Sequence, residues 1–182
     1  TASRVDLVFG SNAELRAIGA NLVVTPAADS LPIMLNGVDL RPASSGALLA
    51  EAGLPQIETI FWSRNLTAFA PVLDAPATAG GEAITVEGTW FDHAVPVPGE
   101  ARVVRTGMRH LAGAWQVAGA WPRDDAQQAL VGAALAARLG VSAGSELEAR
   151  SAGGRAARLL VTGIVTTGAA EDNEIVAPLG VA

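Results

Sequence analysis

The stretch PRDDAQQALVGAALAARLG, residues 122–140, can fold in two ways, and the choice shapes everything around it. In the first, one helix starts at Asp124 and keeps acids in its opening turn, where the helix dipole favours them. In the second, the chain runs through a loop, a short strand at ALV, and a helix only from Ala133 to Leu139. Gly132 stands in the middle and costs a continuous helix about 1 kcal/mol relative to Ala. These residues by themselves leave both readings open.

The sequence around the stretch is β-rich. Short strand candidates lie between Gly and Pro turns from residue 74 to 170: EAITVEGTWF, EARVVRTG, WQVAGAW, SELEARSA and AARLLVTGIV. SAGG at 151–154 has the composition of a hairpin turn between two of them. Upstream the texture differs. In 4–18, Val5, Val8, Phe9, Asn12, Leu15 and Ile18 recur at helical spacing, which predicts an amphipathic helix stopped by Gly19. Leu22 to Thr25 then predict a short buried strand closed by Pro26. Residues 27–42 carry the turn signals Pro32, Asn36-Gly37 and Pro42. Ser44 or Ser45 is placed to cap a short helix over GALLAEAG, ended by Gly53 and Pro55. QIETIFWSRN (56–65) alternates and predicts a strand, and TAFAPVLDAP (67–76) another, bent at Pro71.

Composition narrows the function classes. Of 182 residues half are hydrophobic and 16% are charged, enough apolar material for a sizeable core and too little charge for a disordered chain. The net charge of −6 gives no basic face for nucleic acid. All twelve basic residues are Arg, in keeping with the codon bias of a GC-rich genome. The absence of Cys removes disulfides, thiolate catalysis and Cys-ligated metals. No apolar run reaches the roughly 20 residues of a membrane-spanning helix, and TASRVDL has no signal-peptide pattern. The abrupt start at Thr1 and finish at Ala182 suggest an excised domain.

Three sets of residues are candidates for chemistry. The acids Glu171, Asp172 and Glu174 follow the strand-like VTGIVTTG; they are either oxygen ligands for Ca²⁺ or Mg²⁺ or a solvated turn, and the EF-hand spacing is absent. His93, Met108 and His110 form a thin ligand set for copper or another borderline metal, with Met108 and His110 on one face if EARVVRTGMRH is extended. The serines of GSN, SSG and AGS are turn serines without GxSxG, and neither a P-loop nor GxGxxG occurs. Of the tryptophans 62, 90, 115 and 121, Trp90 and Trp115 fall in strand candidates and are expected in the core. By its residues alone the chain is a soluble α/β domain without an enzyme signature, and no catalytic residue is assigned.

Five stretches taken together add a resemblance: GANLVVTP (19–26), IETIFWSRNLTAFAPVL (57–73), VEGTWF (86–91), VAGAWPRDDAQQALVGAALAARLGVSAGSELEA (117–149) and LLVTGIVTTGAAEDNEIVAPL (159–179). In order and spacing they resemble the extracytoplasmic domain of MacB/FtsX-type ABC transporter permeases. The resemblance implies an α+β fold. A mixed α/β, porter-like, membrane-proximal subdomain (1–73 plus 172–182) would carry an inserted β-rich subdomain (74–171), with the chain ends returning together. It also implies that ALVG is a strand and AALAARLG the helix after it, and that helix 4–18 continues a transmembrane stalk. Glu171, Asp172 and Glu174 would sit in a hinge or contact loop facing solvent or a partner. The implied function is mechanical: coupling ATPase-driven motion to substrate handling or partner binding outside the bacterial inner membrane, with no covalent chemistry and no cofactor. Implied partners are a cytoplasmic ABC ATPase, a periplasmic protein and the membrane through flanking helices. The full-length protein would be a dimer and the isolated domain a monomer. Two alternatives remain: the permease of an iron or copper transport system using His93, Met108 and His110, and a free-standing periplasmic binding module. A hydrolase is the enzyme alternative.

Overall fold

Alternation, not helical spacing, governs the first residues. RVDLVF forms strand β1 (Arg4–Phe9), with Val5 and Leu7 buried on one face and Arg4 and Asp6 half-buried on the other. The predicted helix over 4–18 is therefore corrected at its start: period two fits 4–9 and gives the backbone a partner on each side. The computed structural model describes residues 1–9, 22–26, 34–35, 38–39 and 47–182, so the remainder of that helix lies outside the described residues. Strand β2 (Leu22–Val24) forms as expected but is exposed, not buried, because it pairs with β1 at the outer edge of the sheet. β3 (Met34–Leu35) and β4 (Val38–Asp39) pair around the Asn36-Gly37 turn signal. Ser44 and Ser45 lie outside the described residues.

Two further expectations fail between 47 and 65. Leu49 is extended, held by paired backbone hydrogen bonds to Ala2 of 3.0 and 2.8 Å, so GALLAEAG is not a helix. A 3₁₀ helix runs instead over Glu51–Thr59, with Pro55 inside it, and a second over Ser63–Asn65. QIETIFWSRN is thus not a strand. Leu54 and Glu58, four residues apart, are buried, and Ile57 packs beside Leu54 against Phe69 and Trp90. The apex of the turn carries Phe61, 88% exposed, and Trp62, 62% exposed, in edge-to-face contact at 5.0 Å.

The remaining strands are β5 (Leu66–Ala79), β6 (Glu82–Thr89), β7 (His93–Pro96), β8 (Val103–Thr106), β9 (Gln116–Gly119), β10 (Gln128–Gly132), β11 (Glu146–Ser151), β12 (Ala156–Thr166) and β13 (Ile175–Pro178). A one-turn helix, α1 (Met108–Leu111), precedes β9, and α2 (Ala133–Leu139) follows β10. The second reading of 122–140 is the observed one. Gln128–Gly132 is drawn into the sheet by β12 and β13 on its two sides, and α2 ends at Gly140, whose φ of +66° suits glycine.

The fold is α+β around a mixed nine-stranded sheet ordered β11-β12-β10-β13-β6-β5-β1-β2, with β9 added to β12. β10–β12 and β6–β13 are parallel and the other pairs in the sheet are antiparallel. The last residues of β5 also pair with β11, Ala79 opposite Ala149 and Ala77 opposite Ser151. That contact closes β5-β6-β13-β10-β12-β11 into a ring, a small barrel. Its interior holds Ile84, Val86, Val131, Leu147, Leu159, Val161 and Ile175, with Leu135 of α2 packed on them. The 73/74 subdomain boundary falls inside β5. Outside the barrel, the first half of β5 has a core on each face, and β1 joins one of them. Val5, Leu7, Phe69 and Trp90 make one; Ala70, Val72, Phe91, Met108, Leu130 and Val176 make the other. Of the expected core tryptophans, Trp90 is buried, whereas Trp115 is half-buried and stacked on Trp121.

Candidate functional site

The second of these cores ends in a charged cleft. Residues paired across a sheet share a face, so the rung Arg4–Val72–Thr89 and the pair Asp74–Glu87 put Arg4, Asp74 and Glu87 together. The Arg4 guanidinium donates to Asp74 Oδ2 at 2.7 Å and to Glu87 Oε2 at 3.1 Å, and its Nε lies 3.3 Å from Asp6 Oδ1. The cleft, about 390 Å³, is lined on its polar side by Arg4, Asp6, Glu87, Thr167 and Glu171. Met108, Leu111 and Trp115 form its apolar wall. A larger hollow of about 580 Å³ opens beside Pro76, Ala149 and Val181, but its charged residues, Arg155 and Arg158, are both exposed.

Glu87 is only 2% exposed. Oε2 has Arg4; Oε1 is buried without a hydrogen-bond partner among the described residues, while Asp6 Oδ1, also buried, has the Arg4 Nε alone. Burial pushes the Glu87 carboxyl up to about 8, against the pull of Arg4. Burial also raises Asp6, again opposed by Arg4. Asp74, Glu171 and Glu174 add like charge around Glu87. Five carboxyls thus share one guanidinium.

The acids of the 171–174 segment separate into different roles. Asp172 accepts from the backbone N–H of Thr167 at 2.6 Å and of Gly168 at 3.1 Å. Those bonds hold its carboxyl below the ordinary range and tie the turn between β12 and the 3₁₀ helix Ala170–Asn173. Glu171 accepts from the Thr167 hydroxyl at 3.1 Å and lines the cleft. Glu174 is pushed up by burial and by Asp74 and Glu171, and its carbonyl receives the Gly132 N–H at 2.9 Å. A Cβ at position 132 would come within 2.1 Å of the Glu171 carbonyl oxygen, so only glycine lets this segment lie against the end of β10.

The His93, Met108 and His110 set is not brought together. Met108 begins α1 and is buried in the core; two residues on, at about 100° per residue, His110 points the other way. The expectation of an extended segment presenting both on one face is corrected, because the chain turns at Gly107, whose φ is +132°. His110 Nε2 meets Asp92 Oδ1 at 2.9 Å; Arg105 and His110 together hold Asp92 well below the usual carboxylate range. His93 stacks on Trp90 at 4.2 Å and has Nδ1 3.5 Å from Asp124 Oδ2. Asp124 itself accepts the Phe91 N–H at 2.6 Å. Among the described residues no group of three or more His, Asp or Glu side chains is arranged to hold a metal ion.

Sequence reading missed Arg4, Asp6, Asp74 and Glu87. The available signal was Glu87 itself, a lone acid in the apolar run ITVEGTWF where alternation places it on a packed face. No protein-family model matches the chain, and neither the curated proteins nor the solved structures contain a match.

Proposed function

We propose that the chain is the extracytoplasmic domain of a MacB/FtsX-type ABC transporter permease, coupling ATPase-driven motion to substrate handling or partner binding outside the membrane. The observation that carries this reading is one rung of the sheet. Arg4 of β1 pairs with Val72, Val72 with Thr89, and Thr89 with Pro178 of β13. The first and last strands therefore sit about 14 Å apart, three strand spacings, as suits a domain inserted between two membrane segments. In this reading a change in the separation of those segments acts directly on the ladder that also carries the Arg4–Asp74–Glu87 bridge. Among the described residues no helix is long and apolar enough to cross a membrane, so the spans would lie in flanking sequence.

The Phe61–Trp62 apex supports a partner surface. Both rings are exposed and stack edge to face at 5.0 Å. The cleft favours a second reading, a free-standing periplasmic binding module. Sequencing the complete reading frame separates the two. The permease requires one apolar segment of about 20 residues before Thr1 and about three after Ala182; a cleavable signal peptide and an early stop would overturn it.

A further inference from the structure

From the geometry of the cleft we infer that it is a binding site for a primary ammonium group carried on an apolar stem. The inference begins with the buried carboxyl oxygen Glu87 Oε1, which has no hydrogen-bond partner among the described residues; Asp6 Oδ1, also buried, has only the Arg4 Nε at 3.3 Å. Both residues line the same cleft, and leaving the Glu87 oxygen unpaired is costly unless a donor arrives. Arg4 cannot serve Glu87 Oε1 as well. It is already committed to Asp6, to Asp74 and to the other oxygen of Glu87.

The charge balance calls for a cation. Facing Glu87 are Arg4 and Asp6 on β1, Asp74 on β5, and Glu171 and Glu174 from the segment after β12; Arg4 is the single positive group among them. A metal ion is the poorer occupant, since no group of three acids or histidines among the described residues is set to hold one, and one side of the cleft is hydrocarbon. An ammonium group fits both halves. Its N–H donors can reach the unpaired Glu87 oxygen and the neighbouring acids, and its stem would lie on Met108, Leu111 and Trp115. The same chemistry is available from a free alkyl or arylalkyl amine and from a lysine side chain of a partner protein.

Binding also moves a proton. The Glu87 carboxyl, raised to about 8 in the free protein, must ionise when an ammonium arrives. Near neutral pH one proton is released, and affinity rises with pH until Glu87 is ionised in the free protein.

The test is calorimetric titration of the 182-residue chain with tryptamine, with Nα-acetyl-lysine methylamide as the side-chain source, and with tryptophol as the neutral isostere. Each is measured at about pH 7 in two buffers of different ionisation enthalpy. The expected result is saturable binding of at least one amine, no binding of tryptophol, and an observed enthalpy that depends on the buffer. Glu87→Gln should weaken the amine at least tenfold and remove the buffer dependence, while far-UV circular dichroism reports an intact fold. Glu171→Gln, in the less buried wall, should weaken it less and keep the buffer dependence. Tighter tryptamine binding identifies a free amine as the ligand; tighter binding of the lysine derivative identifies a partner's side chain. Absence of binding by both amines, or equal binding by the folded Glu87→Gln protein, overturns the inference.

Discussion

Replacing Glu87 with Gln should change how stability depends on pH, by an amount that follows from its burial. The folded carboxyl holds its proton to about 8, against an ordinary 4.5. Between these values the folded chain binds more protons than the unfolded chain. A raised acid therefore stabilises most below its unfolded value, and that contribution falls as pH rises through the window. Single-site linkage from 4.5 to about 8 makes the parent lose roughly 3–4 kcal/mol from this group between about pH 5 and pH 8. Gln keeps the shape and the Arg4 contact but cannot ionise. Asp92 and Asp172, lowered by partners outside the cleft, are alike in both proteins and cancel in the difference. The assay is urea unfolding of both proteins at about pH 5, 6, 7 and 8, read as midpoint and slope. The stability of Glu87→Gln relative to the parent should climb steadily across the series. A difference that stays flat within about 1 kcal/mol would show that the Glu87 carboxyl titrates as if solvated, and the account of the cleft would be wrong.

Three further outcomes are expected. Leu159→Ala empties a fully buried site in the barrel interior and should cost about 2–5 kcal/mol in the same urea assay. Gly132→Ala drives a Cβ into the Glu171 and Asp172 backbone and should cost about 1–3 kcal/mol, with the largest amide shifts in two-dimensional NMR at 170–174. Asp172→Ala removes the acceptor of the Thr167 and Gly168 amides, whose hydrogen exchange should accelerate while amides of β10 stay protected.

Local grammar made most of the barrel legible. AARLLVTGIV and SELEARSA read as strands because alternation and the SAGG turn agree with their pairing, Leu147 opposite Leu159 and Ala149 opposite Ala157. Closure of the ring was not legible. It depends on Ala77 and Ala79 meeting Ser151 and Ala149 from 70 or more positions away, and small residues at a contact carry no period. The cleft was hidden for the same reason, since Arg4 and Glu87 are 83 residues apart. Two misreadings came from competing periods. RVDLVF satisfied a helical template only because Val8 and Phe9 extend its apolar positions; two partner strands decided for extension. QIETIFW alternates without a partner, and the buried pair Leu54 and Glu58 set a helical face instead.

The rung that joins Arg4 to Pro178 fixes how the molecule answers a pull. Tension applied at those two points runs across the strands, along the line of their hydrogen bonds, and not along the strand axes. Bonds loaded this way open one after another from the rung, as a zipper does, instead of failing together in shear. The β1–β5 ladder lies outside the closed ring and would part first, with the ring left whole. Arg4 lies at the start of β1, just after the Ala2 and Ser3 bonds to Leu49 and Val72, so its separation from Asp74 and Glu87 would uncover the acids early in the extension.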